Sequence, residues 1–198
     1  ANMFALSGYD QRLGRQSADI AQAIMKLETA LAAGHWDAVR CRDIEAMNNP
    51  MNWDDVVSSA QGLPLEVWSS AAAKVVGEGF FNREVIVGQP DYLPKAAKVW
   101  EESDLEDVRA WIIWHVLHSR AGLLSQEIST ESFDFYSRKL QGIDAQRPRW
   151  KRGVSLVEGT LGEALGKLYV HRHFPAASKE AMDVLVADLL EAYRGSIS

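Results

Sequence analysis

Five histidines and one cysteine are the softest metal ligands and the readiest nucleophile or base in this chain of 198 residues. His115 and His118 stand three apart in the run His-Val-Leu-His. On a helix they share a face, so two imidazoles could point at one metal. The common zinc-helix pattern, H-E-x-x-H, spaces its histidines by four and places a Glu general base between them. Neither feature is present, and the neighbours Trp111, Ile112, Trp114 and Val116 point to packing. His171 and His173 close an apolar periodic stretch, where positive charge complements a helix dipole. Cys41 lies between Arg40 and Arg42, which would favour a thiolate. A cysteine nucleophile also needs a base and an orienting group, and no motif supplies them.

Two further patterns invite a phosphate or nucleic-acid reading. Gly159, Gly162 and Gly166 are spaced G-x-x-G-x-x-x-G, not G-x-G-x-x-G, and no strand precedes them. They fall inside a helical pattern, where each costs about 1 kcal/mol relative to Ala. Close approach of a neighbouring helix is the simplest reason for three in eight residues. The stretch from Arg138 to Arg152 carries six basic residues against Asp144, with Trp150 among them. Basic residues with an aromatic suit single-stranded nucleic acid, but they also suit a helix corner that meets an acidic surface. The chain's own motifs contain no catalytic constellation.

The elements that must position these residues are helices. Ile20, Ile24, Leu27 and Leu31 recur on one face, and Gly34 follows as a stop. Asn52 and Pro64 open the next two helices, and a fourth runs from about Lys95 to Glu101. Ser103 with Glu106 reads as a capping box before a strong apolar run to Ala121. Ser129 or Thr130 opens a helix that Gly142 stops, Pro148 opens a long one, and the last ends at Gly195. Only Glu84-Val85-Ile86-Val87 reads as a strand. The expectation is one all-α domain over residues 1–198, an orthogonal bundle of about eight helices with at most one short β segment.

Composition bounds the function. Apolar residues make up 47% and charged residues 24%, with a net charge of −6. That excludes a disordered or collagen-like chain and disfavours a general nucleic-acid binder, which needs a cationic surface. The longest uncharged apolar stretch, Ala110 to Ser119, is far short of the ~20 residues of a membrane span. No apolar signal-peptide core is present at the N-terminus, and one cysteine suits a reducing compartment, so a cytoplasmic location is favoured.

The stretch from Arg147 to Pro175 carries more information than any of these. Arg149-Trp150-Lys151-Arg152, Val157, Gly159, Gly162, Ala164, Gly166, Leu168-Tyr169-Val170 and Phe174-Pro175 closely resemble a block of the neprilysin and endothelin-converting-enzyme family of zinc metallopeptidases. Other blocks follow in the family's order. Leu27-Glu28-Thr29-Ala30-Leu31 resembles its L-E-x-x-L helix, and Asn49-Pro50-Met51 its N-P-M turn. Glu84 to Val87 with Pro90, Tyr92 and Leu93 resembles its V-V-V-x-x-P-x-Y-L segment, and Phe133-Asp134-Phe135-Tyr136 its F-D-F-Y helix. The likeness runs from about Ala18 to Ile197.

The departures set what the resemblance implies. The family's H-E-x-x-H zinc site and N-A-Y/F substrate motif lie in a C-terminal catalytic domain, and neither motif is here. Asn48 replaces the usual Tyr before Asn49. Gly153 stands where vertebrate members carry a disulfide cysteine, which fits a bacterial-type member. The chain is therefore expected to be an internal piece, mainly the smaller helical domain that faces the catalytic domain across an enclosed peptide cavity. Its implied partners are that catalytic domain and peptide substrates. Zinc belongs to the parent, and this piece is expected to hold no cofactor and no catalytic residue. Asn49, Pro50, Phe133, Tyr136, Arg149, Trp150, Gly159, Gly162, Gly166 and Tyr169 are motif positions with structural roles. A stand-alone helical interaction module is the alternative from another class.

Overall fold

In the computed structural model, which describes residues 1–197, the chain divides into two units, 1–140 and 141–198. The first unit begins with two short helices, α1 (Asn2–Ser7) and α2 (Tyr9–Leu13), each ended by a left-handed glycine. The third helix, α3 (Ser17–Ala32), buries Ile20, Ile24 and Leu27 on one stripe. That is the 3.6-residue period visible in the sequence. Its chief neighbour is α8 (Leu105–Arg120), which turns the buried Val108, Ala110 and Leu117 inward. Ala110 is fully buried beside Phe4, Ile20 and Ile24, and Trp111, Ile113 and Trp114 pack around them. Trp114 also touches a second cluster of Met3, Ala121 and Ile128, so one indole joins the two halves of the core.

Between α3 and α8 run α4 (Ile44–Met47), α5 (Trp53–Ser59), α6 (Leu65–Val76) and α7 (Tyr92–Glu102). The expected strand is there as β2 (Val85–Ile86). It pairs antiparallel with β1 (Pro50–Met51), Pro50 opposite Ile86 and Met51 opposite Val85. The unit closes with α9 (Gln126–Phe133), which continues into a π-helical segment, Asp134–Lys139. The second unit holds α10 (Arg149–His173) and α11 (Ala176–Ile197), separated by Phe174 and Pro175.

The fold is all-α apart from the two-residue strand pair, as expected. The described residues form eleven α-helices rather than about eight, because the short α1, α2 and α4 carry no full apolar period. Two caps move. Asp104, not Ser103, caps α8: its carboxylate accepts from the Glu106 amide at 2.8 Å, while the Ser103 hydroxyl donates back to the Val99 carbonyl. Extended backbone at residue 104 (φ −64°, ψ 135°) fixes that choice. The helix expected from Ser129 starts earlier, at Gln126, with the Ser125 hydroxyl accepting from the Ile128 amide. Gly195 does not end α11, which runs on to Ile197.

Candidate functional site

The motif positions separate into three places. The first is a clasp around Asn49 and Pro50. The Asn49 side-chain amide donates to the Ala46 carbonyl at 2.7 Å and to the Val87 carbonyl at 3.0 Å. The Asn49 carbonyl accepts from the Val87 amide at 2.9 Å. One asparagine therefore ends α4 and pins β2 across 38 residues of sequence. The adjoining loop is fixed by a second polar knot that the sequence did not signal. The Trp36 indole N–H donates to Asp91, the Trp36 amide donates to the Gln89 side chain, and the Arg40 guanidinium covers the Trp36 ring. Hydrogen bonding to the Lys95 ammonium, then to Trp36, holds the Asp91 carboxyl below its ordinary range. Two backbone amides, those of Arg40 and Val39, do the same for Asp37. His35 stacks on Tyr92 with ring centres 3.9 Å apart, and burial raises the Tyr92 hydroxyl pKa. Cys41 belongs to this knot: its thiol faces the Trp36 carbonyl and accepts from the Gln89 amide.

The second place is a groove between α1, α3, α8 and the π-helical segment. His115 and His118 do share a face of α8, but each has its own neighbours. His115 Nε2 lies 3.4 Å from Glu28 Oε1 of α3, and its ring meets Trp111 edge-on. His118 stacks on Trp114 and tilts against Tyr136. Among the described residues no three His, Cys, Asp or Glu side chains are gathered to hold a metal. Phe133 ends α9 under the Arg138 guanidinium, which also pairs with Asp134, and Tyr136 follows on the π-helical turn.

The third place is α10 and α11. Arg149 is the first residue of α10, and Trp150 beside it is 68% exposed, with the Lys151 ammonium over its ring. Tyr169 is also exposed and lies against the His173 ring. The expectation of a close helix crossing at Gly159, Gly162 and Gly166 is corrected within this unit: a Cβ built at any of the three meets nothing within 4 Å. Gly159 and Gly162 instead flank a break in α10 at Leu161, whose φ of −124° and ψ of 19° are not helical. Glycine is a weak helix former, which lowers the cost of a break there. Val154, Val157, Leu161, Leu165 and Leu168 of α10 form an exposed apolar stripe, and Met182, Leu185 and Leu189 form another on α11.

These two helices carry the R-W-K-R to F-P block, and the asparagine-pinned clasp precedes them. The chain belongs to peptidase family M13, whose N-terminal model matches residues 1–198. It is 41% identical to the zinc metalloprotease Zmp1 of Mycobacterium tuberculosis, solved in an open state. The TM-score is 0.76, over 91% of this chain and 27% of that one. A second structure of that protease, in complex with an inhibitor, matches at 40% identity and the same TM-score. Among curated relatives, membrane metallo-endopeptidase-like 1 of Mus musculus is 25% identical over 93% of this chain. Neprilysin-1 of Caenorhabditis elegans is 31% identical over 57% of it. The chain spans about a quarter of the length of the mouse relative and of Zmp1.

Proposed function

We propose that residues 1–198 serve as a helical, non-catalytic domain of a zinc metalloendopeptidase and form a wall of its enclosed peptide cavity. The observation that carries this reading is the 41% identity to Zmp1 at a TM-score of 0.76, confined to 27% of that protease. The zinc would be held by the rest of the parent. The described residues do not fit such a site, because a catalytic zinc needs three protein ligands and an open position for water. Among the described residues no third ligand joins His115 and His118 in a group that could hold a metal.

The unburied stripes of α10 and α11 support the partner assignment. A soluble protein rarely leaves apolar faces of that length in water, so the remainder of the same polypeptide is the natural cover. In the cavity-wall role, this region limits which molecules reach the scissile bond: flexible peptides enter and folded proteins do not. The test compares peptide turnover and metal content of this chain alone with those of the full-length protein.

A further inference from the structure

The groove between α1, α3, α8 and the π-helical segment has a volume of about 480 Å³ and is open at the top. Its floor is apolar, made by the buried Phe4 and Ile24. Met25 stands at the mouth and is 61% exposed. One side is a run of rings: Trp114 and His118 stacked at 5.2 Å, then Tyr136 at 4.8 Å from His118. Glu28 is the single carboxylate of the lining. The Trp111 indole N–H donates to its Oε1 at 3.2 Å, and His115 approaches the same oxygen. Among the described residues Oε2 has no hydrogen-bond or ion-pair partner. No lysine or arginine side chain lines the groove; Ala1, the first residue of the chain, lines it together with His115 and His118. Tyr136 is presented by a π-helical turn. Such turns are rare and recur at functional sites.

This arrangement selects one ligand chemistry. Aromatic faces beside a carboxylate attract an organic cation, through the ring quadrupoles and a charge-assisted hydrogen bond. The apolar floor suits the methylene stem that carries such a cation. An anion would meet Glu28, and a purely apolar group would cover its free oxygen without satisfying it. We propose that the groove binds a lysine or arginine side chain of a peptide, stem on Phe4 and Ile24, cation between Glu28 Oε2 and the rings of Trp114 and Tyr136. The proposal rests on the peptidase reading and adds to it a preference for basic peptides. The net charge of −6 draws such peptides toward the chain.

The experiment uses the full-length protein and two labelled short peptides that differ only in one lysine replaced by norleucine. Binding is read by fluorescence anisotropy, and turnover is read separately. The expected preference for the lysine peptide is about fivefold in Kd, the size of one partly desolvated cation–π and ion contact. Glu28→Gln removes it. Met25→Arg, at an exposed rim position that tolerates a long side chain, removes it as well by placing a competing cation in the groove. Circular dichroism checks that both variants fold, and if Glu28→Gln does not, Met25→Arg decides. No lysine preference in the wild type, or a preference that survives Met25→Arg, overturns the proposal. A lysine preference that both variants abolish, in a protein that turns over neither peptide, keeps the groove and sinks the peptidase reading.

Discussion

Gly162→Ala separates what α10 does in this chain from what it does in the parent. Gly162 follows the break at Leu161, and its own φ lies outside the left-handed region, so alanine can adopt its backbone. A Cβ there meets nothing within 4 Å. In the isolated chain the substitution therefore gains helix propensity at no steric cost, about 0.5–1 kcal/mol. For a protein of this size that raises Tm by roughly 2–4 °C for each kcal/mol. In the proposed full-length arrangement the rest of the parent packs on α10, and the added methyl would press on that cover. Overpacking there costs roughly 1–3 kcal/mol, and the sign reverses. The assay is thermal denaturation by far-UV circular dichroism on both forms. Destabilisation of the isolated chain would refute the open space around Gly162. Equal stabilisation of both forms would refute the covered face.

Asn49→Ala removes two side-chain hydrogen bonds, to the Ala46 and Val87 carbonyls. The expected loss is about 1–2 kcal/mol in urea denaturation, and unchanged stability would show that the clasp is passive. Asp91→Asn tests the knot around Trp36. The Asp91 carboxyl is held below its ordinary value near 3.8 by Lys95 and Trp36, so its stabilisation is present above that pH. It is lost as pH falls through the lower, folded value. The asparagine variant is expected to be less stable at neutral pH and to show a flatter stability profile below about pH 4; an unchanged acid limb counts against the knot.

The sequence showed the long helices most clearly. Ile20, Ile24 and Leu27 on α3 and the apolar run of α8 read out their periods because each stripe lies against the other helix. Cap positions were legible only to within a residue or a turn, because Ser103 and Asp104 are both competent caps and backbone geometry chooses between them. The strand β1 has two residues and no period of its own. It exists because β2 lies opposite, 35 residues on. The groove was half visible. His115 and His118 announce a shared face, but Glu28 and Tyr136 reach it from elements far off in sequence, and a π-helical turn has no residue signature. The apolar stripe of α10 was legible too. The close crossing inferred from its three glycines is not made within its unit, since glycine spacing records that room is needed and not which helix takes it.

The central claim is that this chain shapes a peptidase cavity and leaves the chemistry to the rest of the parent. Metal analysis of the purified chain, with a fluorogenic peptide assay beside it, tests that most directly. The account predicts well under one zinc per chain and no chelator-sensitive turnover, with both appearing in the full-length protein. One zinc per isolated chain, or peptide cleavage that a chelator abolishes, would contradict it and return the metal site to His115 and His118.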